Sequence, residues 1–199
     1  MYRRGRFMND SIIVRTEKDY KVSKWSGGDT TELYLYPENG DYRSGNFQLR
    51  ISSATVEADR SEFTSLPGVD RYLMIFQGHL DMIHGEKEKV SLEPYEVDHF
   101  DGGVPTVSYG KVVDFNLMLK NGARGRMEAL CLETGQEWKV TPEKDENFLA
   151  IYVREGLVLI GDVELGPHEL GVIRQWNTKA EIKVAARKQS RLGICRAGL

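Results

Sequence analysis

The sequence predicts an all-β protein with very little helix, and three observations carry that expectation. Apolar and β-branched residues recur in short runs with period two rather than at helical spacing. Clusters of Gly, Pro, Asn and Asp separate these runs roughly every ten residues. Only 61–66 reads as helical, a single turn that Ser61 would cap and Pro67-Gly68 would end. Short strands at this density suggest a sandwich or barrel, because stacking or closing sheets removes unpaired edges.

Taken in order, the opening MYRRGRF is basic and patternless, and residues 1–10 are expected to form a disordered arm or an overlong start. Alternation then predicts strands over 11–15, 31–36, 47–56, 71–77, 79–84, 89–92, 106–109 and 112–119. Asn121-Gly122-Ala123-Arg124-Gly125 breaks the pattern with flexible, polar residues and marks a domain boundary. Further strands are expected over 127–132, 137–140, 148–153, 157–160, 163–165, 169–174, 180–186 and 191–195. Two β units follow, over 11–122 and, smaller, over 123–199, with exchange of strands between them left open.

Composition narrows the partners. The 27 basic and 30 acidic residues leave a formal charge of -3, so no single-sign field would draw a nucleic acid or an anionic membrane. No apolar run approaches the roughly 20 residues of a membrane span, and no apolar core of a signal peptide follows the start, so a cytoplasmic location is expected. A homodimer is compatible with the sequence. Cys131 and Cys195 fit no C-x-x-C spacing and read as reduced core residues.

Metal chemistry lacks support. His79 and His84 are an odd number of positions apart and would point to opposite faces of a strand, while His99 and His168 read as loop residues. No metal and no cofactor are expected: G-x-x-x-x-G-K-[ST] and GxGxxG are both absent, as is a G-x-S-x-G elbow.

Candidate site residues come from strand parity. In FQLRISSATV, Phe47, Leu49 and Ile51 share one face, and Arg50, Ser52 and Ala54 the other. In VVDFNLML, Asp114, Asn116 and Met118 oppose Phe115, Leu117 and Leu119. Asp and Asn are depleted in strands because they compete for backbone hydrogen bonds, so their presence implies specific partners. An inward Arg50 needs a carboxylate or a bound anion, and Asp114 is one candidate. Asp70 and Arg71 open a strand on opposite faces, so at most one of them reaches the same pocket. Thr30 and Glu32 share a face beyond Gly27-Gly28, a glycine pair that permits close approach of backbone to a ligand or another strand.

The segments WSGGDTTE, FQLRISSATV, SEFTSLPGVDR, FDGG and DFNLM, in this order, resemble the HutD/Ves family of bicupin-like proteins, over roughly Trp25 to Met118. The most specific pieces are PGVDR, DFNLM and the R-x-S-x-A of Arg50, Ser52 and Ala54. Ser26 and Leu49 depart from the family pattern, which has Asn and often Trp there. The resemblance implies a double cupin-like β-barrel, with the two units as its barrels. It also implies, for members within histidine-utilisation operons, a regulatory role involving small formylated acids such as N-formylglutamate.

These readings converge on a binding or regulatory protein for a small anionic metabolite, metal-independent, with Arg50 holding the carboxylate. Ser52, Asn116 and Thr30 would orient the ligand, Asp114 would orient Arg50, and Glu32 and Arg71 complete the candidate set. Two alternatives stand beside it: a metal-free isomerase or hydrolase using Glu32 or Asp114 as base, and a scaffold whose pocket is only a buried polar network.

Overall fold

A computed structural model describes residues 4–7, 10–86, 88–176 and 181–199. Tyr20–Ala123 fold into one compact unit, the central unit, and the described residues up to Asp19 join Arg124–Leu199 in a second, the outer unit. The chain starts in the outer unit with β1 (Arg4–Phe7), β2 (Asp10–Arg15) and a 3-10 turn at Glu17–Asp19. The central unit contains β3 (Lys21–Trp25), β4 (Gly28–Tyr36), β5 (Leu49–Val56), β6 (Arg60–Glu62), β7 (Val69–Gln77), β8 (Leu80–His84), β9 (Glu88–Leu92), β10 (Val97–Asp101), β11 (Thr106–Tyr109) and β12 (Val112–Lys120). The outer unit resumes with β13 (Arg124–Leu132), β14 (Glu137–Val140), β15 (Phe148–Ile160), β16 (Val163–Leu165), β17 (Leu170–Arg174) and β18 (Ile182–Gly198).

The central unit stacks two antiparallel sheets. One has the order β10-β7-β12-β5-β4-β3 and the other β6-β11-β8-β9. Leu73, Ile75 and Val112 of the first pack with Leu80, Met82 and Leu92 of the second, which fixes the two sheets face to face. Each such side chain, once buried, contributes about 1.5–3 kcal/mol. In the outer unit a single sheet runs β1-β2-β17-β15-β18-β13, with β14 on β18 and β16 on β15. Its core gathers Ile12 and Val14 with Leu149, Ile151, Ile173 and Ile194. Among the described residues every sheet has open ends, so the units are sandwich-like rather than closed barrels.

Several expectations change. β2 pairs with β17 and buries Ile12 and Val14 in the outer unit, so the strand expected over 11–15 lies outside the unit that was to begin there. Of the arm expected over 1–10, residues 1–3 and 8–9 lie outside the described residues, and Arg4–Phe7 pair with β2 as a strand. The strands expected over 148–153 and 157–160 are one, β15, whose register against β18 shifts at Glu155 and Leu157. Likewise 180–186 and 191–195 merge into β18, apart from Ala180, which lies outside the described residues, and Glu181, which precedes the strand. Residues 61–66 form no helical turn: Arg60–Glu62 pair with β11, and the Phe63 N–H donates to the Thr106 carbonyl. Ladder hydrogen bonds to an adjacent strand outweigh a weak cap signal that had no apolar helical face behind it. His99 lies within β10 rather than a loop, stacked on Tyr72 at 4.1 Å. Cys195 is buried as expected, but Cys131 points outward because its neighbour Leu132 takes the buried side of β13.

Among the described residues, no helix is long and apolar enough to cross a membrane, and no group of three or more His, Cys, Asp or Glu side chains is placed to hold a metal ion.

Candidate functional site

The inner face of the larger sheet of the central unit carries a group of buried polar residues. Strand pairing sets Met118 of β12 between Arg50 of β5 and Arg71 of β7. One step along, Asn116 faces Ser52, and Ser52 faces Glu32 of β4. Cross-strand partners project to the same side of a sheet. Arg50, Ser52, Arg71, Asp114, Asn116 and Met118 therefore share one face, where they line a cavity of about 340 Å³. The parity read from the sequence thus puts Arg50 and Ser52 together with Asp114 and Asn116, and Arg71 rather than Asp70 turns inward. Thr30 lines the same cavity.

The two arginines are held differently. Arg50 donates from Nε to Glu32 Oε2 at 3.0 Å and from Nη1 to Ser52 Oγ at 3.1 Å, and its guanidinium lies 4.0 Å from the centre of the Tyr42 ring. Its counter-charge is therefore Glu32. Asp114, expected in that role, is occupied elsewhere. Arg71 is 4% exposed and donates from Nη2 to Asn116 Oδ1 at 3.1 Å. Its guanidinium packs 4.6 Å from the centre of the Phe63 ring and 5.3 Å from that of Phe100. Its buried Nε has no protein hydrogen-bond partner, and among the described residues no carboxylate lies within ion-pairing distance of it. Burial pulls the Arg71 pKa down to about 10, which still leaves the group charged at neutral pH.

Asp114 explains its own presence in a strand. It stands where the register of β12 against β7 shifts, and its Oδ1 accepts the Ala54 N–H at 2.8 Å and the Asn116 amide at 3.0 Å. Ser53 Oγ donates to the Asp114 carbonyl at 2.6 Å. By fixing the Asn116 NH₂, Asp114 turns Asn116 Oδ1 towards Arg71, so three residues form a relay that aims the Arg71 guanidinium. Burial raises the Asp114 pKa to about 6, against the opposing pull of the Ala54 N–H, the Asn116 amide and the two arginines.

The facing wall was not legible in the sequence. Ser61 of β6 and Ser108 of β11 are cross-strand partners, and both line the cavity. Phe63 follows in the segment read as a helical turn, and Tyr42 lies in the loop between β4 and β5; neither position carries strand alternation. Trp25, 41% exposed, lines the cavity from the edge strand β3. In the sequence only the glycines of this WSGG segment carry a signal. An ideal Cβ on Gly27 would meet the Trp25 ring at 2.1 Å, so the missing side chain is what seats the indole.

The HutD family profile matches residues 17–193, which extends the likeness read from the motifs past Met118 and into the outer unit. No curated protein matches the chain. The chain is similar to the structure of HutD from Pseudomonas fluorescens determined in a formate condition, with 21% identity and a TM-score of 0.75 over 94% of this chain and 97% of that one. It is also similar to a conserved protein of unknown function from Pseudomonas aeruginosa, with 17% identity and a TM-score of 0.78 over 94% and 99% of the two chains. A more distant likeness is to the bacterial pirin YhhW of Escherichia coli in complex with nickel(II), with 13% identity and a TM-score of 0.69 over 93% and 98%. At such identities the likeness shows the fold, an all-β, double cupin-like architecture.

Proposed function

We propose, from the premise that the chain belongs to the HutD family, that the cavity of its central unit binds a small carboxylate-bearing metabolite, and that the protein serves as a binding or regulatory protein of the cytoplasm. One observation carries this reading: Arg71 is a buried cation beside a cavity, with no ion-pairing carboxylate among the described residues. Asp114 attracts Arg71 only through space, with Asn116 between them, and a carboxylate ligand would supply the direct, charge-assisted partner that a buried cation calls for. Arg50 is less suited to that role because Glu32 already neutralises it. Ser52, Asn116 and Thr30 border the same space and would orient the bound group. An N-formylglutamate-like acid, as the family resemblance implies, meets these demands, and formate is the minimal probe of the anion site.

The test is thermal denaturation of the protein and of Arg71→Met with formate or N-formylglutamate. A ligand at about a hundred times its Kd stabilises by about 2.7 kcal/mol. Stabilisation of the parent and loss of that response in a folded Arg71→Met is the expected result. No stabilisation by either acid at millimolar concentration would remove the reading.

A second reading rests on Asp114. A carboxyl group with a pKa near 6 beside a cavity is suited to proton transfer. Loss of N-formylglutamate on incubation with the protein, abolished in Asp114→Asn, would favour turnover over binding.

A further inference from the structure

Two strands of the smaller sheet present hydroxyls to the cavity, opposite the arginines. Ser61 and Ser108 are direct partners in the β6–β11 ladder, so their side chains project to the same side, and both line the cavity. The Ser61 Oγ is buried and has no protein hydrogen-bond partner. A buried hydroxyl left unpaired is destabilising, so its placement towards a cavity calls for a partner that enters the cavity.

Its distance from the anion site follows from strand geometry. Phe63, whose ring lies 4.6 Å from the Arg71 guanidinium, is two residues beyond Ser61 in a segment that continues the ladder through its N–H to Thr106. Two residues of extended chain span about 7 Å. The hydroxyl pair is therefore set apart from the guanidinium along one cavity, and a ligand that meets both carries its two polar groups at separate ends. Leu80, Val112 and Met118 line the same cavity and give it apolar walls.

We infer that the cavity is a two-ended site, in which Arg71 takes a carboxylate and the Ser61–Ser108 pair takes a second hydrogen-bonding group across a short apolar spacer. This rests on the reading of Arg71 as the anion site and adds the selectivity: simple fatty acids of the same length are discriminated against. Ser61 and Ser108 are specificity-determining residues, and they act on the far end of the ligand rather than on its charge.

Isothermal titration with glutaramate and with 5-methylhexanoate tests this. The two acids have the same shape and the same carboxylate, and differ only in an amide against an isopropyl group. Glutaramate is expected to bind about fivefold tighter to the parent protein, the yield of one well-formed neutral hydrogen bond. Ser61→Ala is expected to bring the two affinities together without weakening 5-methylhexanoate. Ser108→Ala provides a second variant should Ser61→Ala fail to fold. Equal affinities in the parent, or a ratio that survives both substitutions, would overturn the two-ended site while leaving Arg71 as the anion site. Binding of neither acid would overturn both.

Discussion

Glu32 Oε2 lies 3.0 Å from Arg50 Nε, and this ion pair ties β4 to β5 immediately before the register shift between Glu32 and Tyr34. The arginine side chain is 6% exposed and the glutamate 14%, so the pair is shielded from solvent on both sides. Lys21 adds a weaker contact to the other carboxylate oxygen, at 3.7 Å.

Glu32→Gln would leave Arg50 as a buried charge with only neutral partners. Removing one member of a buried pair costs about 3–5 kcal/mol, and the partial exposure of Glu32 lowers the expectation to about 2 kcal/mol by urea denaturation. The same substitution creates a second cation without a counter-ion beside the cavity. Added formate should therefore stabilise the variant more than the parent. Unchanged stability in the variant would show that Glu32 does not hold Arg50.

Gly28 lies between Trp25 and Thr30, both of which line the cavity. It has φ +148, and an ideal Cβ there would stand 1.9 Å from the Thr55 carbonyl oxygen on the adjacent strand. Both groups belong to the backbone, so neither can move without opening the β4–β5 ladder. Gly28→Ala should cost more than about 2 kcal/mol. Gly68, at φ +75 with nothing within 4 Å of its Cβ position, provides the contrast: Gly68→Ala should cost only about 1 kcal/mol, from backbone strain alone. Parallel urea titrations of the two variants give the comparison, and equal losses would refute the close-approach argument.

What could be read in advance follows the period-two signal. Arg50 with Ser52, and Asp114 with Asn116, are each assignable to one face because apolar residues alternate with them, Leu49 and Ile51 in β5 and Phe115 and Leu117 in β12. Their partners were not assignable, because parity gives the face of a side chain and not its neighbour across the sheet. The choice of Glu32 over Asp114 for Arg50 depends on the β4–β5 register. β3 carries no alternation in the sequence because all five of its residues are exposed. β18 reads as two strands in the sequence because Arg187, Lys188 and Gln189 interrupt its apolar pattern at the irregular pairing with β15. Strand exchange at β2 depends on a contact between segments more than 150 residues apart, for which a single sequence carries no local mark.

The two cysteines differ enough to be counted in solution. Cys131 is exposed on β13, whereas Cys195 is fully buried on β18, where burial pushes its thiol pKa up. A disulfide-exchange reagent acts on thiolate and needs access, so it should titrate one thiol in the folded protein and two in denaturant. Cys131→Ser should reduce the native count to none. Reaction of two thiols without denaturant would mean that β18 opens readily or that its core packing is not as described.

Asp114 should couple stability and binding to pH in the same direction. Its folded pKa of about 6 lies above the model-compound value of 3.8, so the folded state retains a proton that the unfolded chain has already released. The stabilising contribution is complete below about pH 4 and is lost as pH rises through 6, amounting to about 3 kcal/mol over the whole window. Asp114→Asn keeps an oxygen for the Ala54 N–H and the Asn116 amide and carries no charge, so the slope of stability between about pH 4 and pH 7 should flatten. A carboxylate on Arg71 would add a second negative charge near Asp114, within reach also of Arg50 and Tyr42, and would favour the protonated acid further. Binding of formate, itself ionised throughout, should then weaken several-fold between about pH 5 and pH 7.5. It should also show proton uptake when calorimetry is repeated in buffers of different ionisation enthalpy. In Asp114→Asn both effects should vanish. Formate affinity independent of pH in the parent protein would separate Asp114 electrically from the anion site and leave it a role only in aiming Asn116.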